Sequence, residues 1–466
     1  ELADYLDGIA DRPLFPEADP AALAALFDEP VPRRARSGVA VLDEVREKLL
    51  PWCTHVGHPG YMGLITPPPT PMGVLGDLIA STLNQNIGAW TIGPGAVAME
   101  RRVVRWLDDL VGYGPDAGGN LTSGGMTANF IGLKLARDGV SGDRAQHEGV
   151  TGGWAAYTSE ERHVSVDKAA DAVGIGRDGL RVLPTDDRFR LRIDALEAAI
   201  AADRADGIRP MCIVAMGGST NNGAVDALAE LRAIADREAM WLHVDAAYGG
   251  GLLASARHRD VLAGIERADS VTLDPHKWFY APLDAGAILV RDTARLTASF
   301  GLQPAYLKDP GDPAGQRYNY YVHGFEQSRR FRALKVWMTL KRYGLDGIGA
   351  WVDANIEQAR HLYRRAAAGT DFEPAVEPVM SAICIRWRGL EHDEPASARL
   401  HANVVGRIEA AGRFWFSTTS LKGRTWFRIN PVNYRTRLEH MDALYETLTD
   451  TCRAVQEDGE EGRNRR

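Results

Sequence analysis

Cysteine is scarce in this 466-residue chain: Cys53, Cys212, Cys384 and Cys452 lie far apart, with no CxxC pair or other metal-ligand spacing among them. That pattern argues against structural zinc and against a disulfide framework, and it fits reduced thiols in a cytoplasmic protein. No metal is expected. Long apolar runs are missing too. No stretch of about 18 apolar residues occurs, so no membrane-spanning helix is expected. The opening ELADYLDGIADRPLF is acidic and lacks the apolar core of a targeting signal. The chain therefore reads as soluble and untargeted, with Glu1 suggesting a natural start further upstream. Basic charge is also in deficit, with 54 Lys and Arg against 62 Asp and Glu and a net charge of −8. A nucleic-acid backbone is thus excluded as the main partner. Internal repeats and low-complexity tracts are absent.

What is present is an ordinary globular balance, 45% apolar and 25% charged. The length exceeds one usual core, so a large domain with smaller additions is expected. From Ser37 a helix is predicted, because Val39, Leu42, Val45 and Leu49 recur at three- and four-residue intervals behind a capping serine. Pro51 ends it. The segment HPGYMGLITPPPTPMG, residues 58–73, holds five prolines and gives a rigid connection, a plausible binding-surface loop. Residues 73–111 then read as two helical pieces parted near Gly93 and Pro94, with Trp106, Leu107 and Leu110 on a buried face. Residues 1–110 make an N-terminal helical segment.

Between about 120 and 300, short β-rich runs (AAYTS, LRVLP, MCIVAMGG, WLHVDAA, SVTLD, GAILV) alternate with helical ones such as Ile193 to Ala205 and Asp226 to Met240. That alternation predicts a mostly parallel α/β sheet, with functional groups at the carboxyl ends of its strands. Helices over 328–343 and 350–366 complete a large domain spanning 111–368. After Gly369 the order strand (SAICIRW), helix (397–411), strands (FWFST, TWFRIN) and helix (439–455) predicts a small α+β domain over 369–455. The acidic and basic tail, 456–466, is expected to be disordered.

Three stretches carry chemistry. SVTLDPHKW delivers Lys277 from a buried strand into a loop, with His276 directly before it. Burial favours the neutral amine, and a neutral amine attacks an aldehyde, which is the requirement for Schiff-base formation with pyridoxal 5'-phosphate (PLP). A surface lysine after a strand would be the bland alternative. In WLHVDAAYGGG, Asp245 ends another buried strand. A carboxylate there keeps the pyridine nitrogen of PLP protonated, although strand-end aspartates are also common turn residues. In LTSGGMTANFIGLKLA, Gly124 and Gly125 precede a helix, where backbone N–H groups and the helix N-terminus favour a phosphate. The order glycine loop, Asp, Lys matters more than any member.

On these residues the chain resembles the group II PLP-dependent decarboxylases, which include aromatic-L-amino-acid, histidine, glutamate and 2,4-diaminobutyrate decarboxylases. The matching motifs are TSGG at 122–125, HVDAAY at 243–248 and DPHKW at 274–278, supported by HPGY at 58–61, NQN at 84–86 and SRRFRALKVW at 328–337. The resemblance covers residues 30 to 453. It implies fold type I, the aspartate aminotransferase-like PLP-dependent transferase fold with a seven-stranded sheet, and a homodimer with active sites at its interface. It assigns Lys277 the Schiff base, Asp245 the pyridinium and Ala247 one ring face, with His163 stacking on the other face. His276 and Ser219 become neighbours of the cofactor, Gly124 and Gly125 phosphate donors, and Arg428 the partner of the substrate carboxylate.

In this family a tyrosine on a mobile loop delivers a proton after decarboxylation. Tyr318, Tyr320 and Tyr321 are candidates, and counting back from Arg329 favours Tyr320. Tyrosine there implies an amine product; phenylalanine in some relatives gives an aldehyde. For the substrate pocket the resemblance points to Leu64, Ile65, Thr66 and Pro67, to Asn86 and Gly88 of a partner subunit, and to Ser328. The substrate could be aromatic, acidic or otherwise polar. Aminotransfer, β-elimination and oxidative decarboxylation to an aldehyde stay open as rival PLP reactions. Inactive relatives serving only as interaction proteins would lack Lys277, Asp245 or His163, and all three are present. The GxGxxG run from Gly174 to Gly179 lies between a helix and a strand, the wrong order for a dinucleotide fingerprint, so it is read as a helix cap and turn. Arg329, Arg330 and Arg332 are expected on a solvated or interface face of a helix.

Overall fold

Ser37 caps the first long helix as expected: its Oγ accepts from Ala40 N at 3.2 Å, and helix α1 runs Gly38–Lys48. Its apolar stripe is not covered within the single chain. Val39 and Leu42 are 70% and 69% exposed, so the stripe faces outward in the single chain. The computed structural model describes residues 2–464 apart from 17, 303–311, 313–315 and 391–392. Helices α2 (Pro71–Leu83) and α3 (Pro94–Val111) are the two pieces predicted over 73–111. Thr70 caps α2, and Gly112 ends α3 at a left-handed φ of 92°. Leu107 and Leu110 are buried as expected and Trp106 is half-buried.

Seven strands form the main sheet: β1 (Gly118–Thr122), β2 (Trp154–Ser159), β3 (Leu180–Leu183), β4 (Arg209–Met216), β5 (Trp241–Asp245), β6 (Ser270–Leu273) and β7 (Gly286–Val290). Their order is β1-β7-β6-β5-β4-β2-β3, with β7 antiparallel to both neighbours and all other pairings parallel. Because β7 alone is reversed, the carboxyl ends of the other six strands share one edge. This is the seven-stranded, mostly parallel sheet of fold type I. Helices α4 (Gly125–Ser141), α5 (Val164–Ala172), α6 (Ile193–Ala205), α7 (Leu228–Arg237) and α8 (Ala294–Phe300) connect or flank the strands. Apolar residues of α4 and α5, including Ile131, Leu135 and Val166, pack with Val214, Met216 and Ile288 of the sheet in one core. The glycine run at 174–179 turns the chain from α5 into β3, with positive φ at Gly174 and Gly176, so it is a cap and turn.

Helix α9 (Ala333–Ala368) is two predicted helices joined across Gly344, whose φ of 65° breaks the helical path. A second, antiparallel sheet orders β8 (Phe372–Pro374), β9 (Ile383–Trp387), β10 (Ser417–Leu421) and β11 (Arg424–Ile429) as β10-β11-β9-β8. It packs with α10 (Glu394–Ala410) and α11 (Leu438–Asn464) around Phe372, Leu400, Phe427 and Leu444.

The boundaries differ from those read in sequence. One compact unit is Ile65–Ile356 with Pro378–Ala382; the other joins Glu1–Leu64 to Glu357–Glu377 and Ile383–Arg466. The N-terminal segment 1–110 is therefore divided. Its first part supplies Met62 to the smaller unit's core, where Met62 N donates to Trp415 O at 2.8 Å, a pairing between residues too distant in sequence for local patterns to show. Helix α11 continues to Asn464, through most of the stretch read in sequence as a tail.

Asp108 on α3 is 1% exposed, and among the described residues neither carboxylate oxygen has a hydrogen-bond partner. Burial raises its pKa to about 7, with Asp109 adding to the effect and Arg105 opposing it. A folded-state value above the unfolded one destabilises progressively as pH rises toward 7. The Asp108→Asn variant should therefore gain about 2–3 kcal/mol relative to the parent between pH 5 and pH 8, measured by denaturant unfolding at both pH values.

Candidate active site

The loops following β1, β2, β4, β5 and β6 converge at the shared carboxyl edge of the larger unit. Leu273 ends β6, and the next four residues turn so that Lys277 N donates to Asp274 O at 2.8 Å. The turn brings Lys277 Nζ to 3.1 Å from Asp274 Oδ2 and His276 Nε2 to 3.5 Å from the same oxygen. His276 Nδ1 accepts from Ala285 N at 3.0 Å, and burial lowers its pKa, so the ring is neutral with its proton on Nε2.

Gly124 and Gly125 form the opposite wall. A side chain on Gly125 would meet Asp274 Oδ2 at 2.9 Å and Ala247 Cβ at 3.1 Å; one on Gly124, at φ 151°, would meet His276 Cε1 at 3.4 Å. Only glycine leaves this cradle open. Among the described residues no side chain caps the first turn of α4, which starts at Gly125.

Asp245 ends β5, 6% exposed. Its Oδ1 accepts from Ala247 N at 3.1 Å and its Oδ2 from Asn129 Nδ2 at 2.7 Å. The same Asn129 nitrogen donates to Ser165 Oγ at 2.8 Å, and Ser165 meets His163 Nδ1 at 2.8 Å. His163 also caps α5, with Nδ1 accepting from Ser165 N at 3.2 Å. Burial lowers its pKa, while the Asp245 carboxylate pulls the other way. Lys277, Asp245, His163, His276, Ala247, Gly124 and Gly125 thus lie in one continuous group. Ser219 lies in the loop after β4, but its hydroxyl is used locally, donating to Asn222 at 2.9 Å and accepting from Ala224 N at 3.2 Å.

The remaining predicted residues make contacts of their own. Tyr320 is buried at the amino end of β1, where it lines a cavity of about 450 Å³ in common with Gly118, Gly119, Arg101 and Tyr318. Its ring lies under Arg329, whose Cζ is 4.2 Å from the centroid. The carboxyl edge that holds Lys277 is the far end of that strand. Asn86 serves its own chain: Oδ1 accepts from Gly88 N and from Arg329 N, both at 3.0 Å. Ser328 is exposed beside it and Ile65 is half-buried. Arg428 belongs to the smaller unit, on β11, and its Nη1 donates to Gly63 O.

The three arginines read as a solvated helical face precede α9, and two are buried. Arg329 Nη2 donates to Glu100 Oε1 at 2.5 Å and to Leu121 O at 2.8 Å, while Glu100 Oε1 also accepts from Leu121 N at 3.1 Å. Arg332 is 6% exposed and pairs with Asp284 at 3.0 Å and Glu326 at 2.9 Å. Only Arg330 is exposed, bridging Asp77 and Asp284. Charge patterning alone could not show that Arg329 meets Glu100, 229 residues away. Asn129, Asp274 and Glu100 were missed for related reasons. A polar residue on an amphipathic helix reads as solvated unless its long-range partner is known, although Asp274 stood inside a motif already singled out.

The family model described as "Pyridoxal-dependent decarboxylase conserved domain" matches residues 20–388. The chain belongs to this family. It is 31% identical to an aromatic-L-amino-acid decarboxylase of Bacillus atrophaeus, over 94% of this chain and 91% of that protein, and 27% identical to the Bos taurus enzyme of the same name, over 97% and 94%. Among solved structures, the Oryza sativa TDC with PLP and tryptamine superposes with a TM-score of 0.91 at 27% identity, covering 97% of this chain and 96% of that one. Mouse CSAD gives a TM-score of 0.89 at 27% identity, covering 97% and 98%. This decarboxylase is accordingly a PLP-dependent carboxy-lyase acting on an amino acid. Its residues fit the cofactor: the open glycine cradle, the uncapped first turn of α4 and the buried Asp245 carboxylate supply a phosphate seat and a partner for a protonated ring nitrogen.

The buried Arg329–Glu100 pair ties the decarboxylase's 318–332 connection to the strand carrying that cradle. The Arg329→Met variant, which strands Glu100 without its partner, should lose about 3–5 kcal/mol of stability. Denaturant unfolding of the variant and its parent checks this.

Proposed function

We propose that the decarboxylase holds PLP through Lys277, removes the α-carboxyl group of an aromatic L-amino acid, and releases the corresponding amine. The observation that carries this reading is the convergence of Lys277, Asp245 and His163 at one strand edge, with Lys277 Nζ 3.1 Å from Asp274 Oδ2. The names of the relatives support an aromatic substrate: aromatic-L-amino-acid decarboxylases, and tryptophan decarboxylase 2 of Oryza sativa at 27% identity.

When bound, PLP supplies an electron sink for the carbon that loses its carboxylate. The chain's own groups do the rest. Lys277 provides the attaching amine, and its Asp274 partner keeps that amine at the strand end. Asp245, held on both oxygens, is the acceptor for the ring-nitrogen proton. His163, with Nδ1 occupied, presents Nε2–H. Gly124, Gly125 and the first turn of α4 seat the phosphate, with His276 and Ala247 closing the cradle. Ser219 shapes the neighbouring loop. Asn86 and Ser328 lie together beside Arg329, where they would border a partner's substrate.

A homodimer is supported by apolar side chains left open on each unit. Val39 and Leu42 on α1, and Leu75, Leu78 and Leu83 on α2, are exposed in the single chain. A cytoplasmic setting is supported by four free cysteines, three of them buried. Among the described residues no helix is long and apolar enough to cross a membrane.

Proton delivery belongs to a tyrosine of the 301–332 connection. Tyr318 and Tyr320 pack against each other at the amino end of β1, with ring centroids 4.9 Å apart. Tyr321 is buried and tied to Gly88 O through its backbone N–H at 3.1 Å. By elimination we assign the role to Tyr306, which lies outside the described residues, in place of Tyr320.

Three experiments test the reading. Lys277→Ala should abolish the visible absorbance of the cofactor-loaded protein, and a retained band would remove Lys277 from its role. Aromatic amino acids should yield amine and carbon dioxide in equal amounts without oxygen uptake; aldehyde with hydrogen peroxide would replace this reading with oxidative decarboxylation, the reaction suggested by a 28% identical relative named phenylacetaldehyde synthase. Tyr306→Phe should lower amine formation by about 100-fold or more with cofactor retained. Tyr320→Phe should leave the rate within about threefold, short of the loss expected for a proton donor. The reverse ranking would return the role to Tyr320.

A further inference from the structure

Behind Asp245 runs a buried set of hydrogen bonds whose donors and acceptors can be assigned throughout. Asp245 accepts only, so the Asn129 atom 2.7 Å from its Oδ2 must be the amide nitrogen; an amide oxygen there would face a carboxylate oxygen. That choice turns Asn129 Oδ1 toward Thr272 Oγ1 at 2.7 Å and His243 Nε2 at 3.0 Å, so both must donate. His243 is fully buried, and burial lowers its pKa to about 4, leaving a neutral ring with one proton. With that proton on Nε2, Nδ1 accepts from Ser270 Oγ at 2.8 Å, and Ser270 in turn accepts from Trp241 Nε1 at 2.8 Å. Every donor meets an acceptor. The arrangement is also sterically closed on one side, since a side chain on Gly132 would lie 2.4 Å from the His243 ring.

Resting on the assignment of Asp245 to the ring nitrogen, we propose that Asn129 is a positioning residue, locked by Thr272 and His243, that fixes Asp245 as a one-way acceptor and ties it through Ser165 to His163. Neither Asn129 nor Thr272 reaches the cradle groups. They act through Asp245: an amide unable to rotate keeps one carboxylate oxygen occupied, and Ala247 N keeps the other. The carboxylate is thereby held in one orientation, which an acceptor facing a ring-nitrogen proton requires. The second Asn129 hydrogen, given to Ser165 Oγ, leaves the serine hydroxyl to donate to His163 Nδ1. Both sides of the site are thus set by one side chain.

The test uses the protein loaded with PLP labelled with nitrogen-15 in the ring. Its ring-nitrogen chemical shift reports the proton directly, independently of turnover. In the parent the shift should be that of a protonated ring. Asn129→Leu, similar in volume and without donors, should keep the visible cofactor band, move the shift toward the unprotonated value, and lower kcat by about tenfold or more with KM within about threefold. Thr272→Val, an isosteric change one bond further back, should move the shift in the same direction by a smaller amount. If Asn129→Leu does not fold, the Thr272→Val result decides alone. A parent-like shift in the variants that fold would overturn the proposal. A different result would overturn the underlying reading instead: a parent protein with no visible band, or an Asp245→Asn variant whose ring nitrogen stays protonated.

Discussion

A carboxylate buried at the end of a central parallel strand must be met by donors, and the larger unit is built so that Asp245 is. Asn129 comes from α4, Ala247 from the turn beyond β5, and the groups that lock Asn129 come from β5 and β6. Four adjacent pieces of the fold therefore share one polar centre in an otherwise apolar core. Leaving any of these groups unsatisfied costs more than the bond itself yields, which is why such networks specify a single arrangement. The parallel sheet supplies the other constraint, because it delivers Asp245, Lys277, His163 and the glycine cradle to a common edge.

Much of this was legible in the sequence, and the reason is local. Lys277, Asp245, Gly124 and Gly125 each sit where a strand meets a loop or helix, so residue type and neighbouring apolar pattern mark them together. The helix at 193–205 and the cap at Ser37 are equally local and lie where predicted. Failures gather where one side chain is explained by another far along the chain. Arg329 looked solvated because Glu100 is 229 residues away. Asn129 looked like an ordinary helix residue because Asp245 is 116 residues away. Tyr320 was chosen by counting, and counting carries no information on which end of β1 a loop will pack against.

The compact units divide the chain differently from the sequence reading for the same physical reason. Composition shifts mark where helix-rich sequence gives way to strand-rich sequence, but a compact unit is defined by what packs together. Met62, from the N-terminal part, shares a core with Phe427 and Leu444 near the other end of the chain. A linear reading cannot close that loop. Conversely, the spacing of Val39 and Leu42 marked a helix but could not show that they are exposed, because periodicity reports an apolar face without naming what covers it.

The Arg329–Glu100 pair bears on how such a sequence can drift. Arg329 is pinned by its guanidinium to Glu100 and Leu121, and by its backbone to Asn86 and Ile87. The spacing from Arg329 to the start of α9 is consequently held from both sides, and an inserted residue there would pull a buried charge off its partner. Length variation in the connection is tolerable only upstream, before Tyr318. The proposed proton-delivering residue, Tyr306, lies upstream of that pin, so a change of length there would leave the cradle end in register.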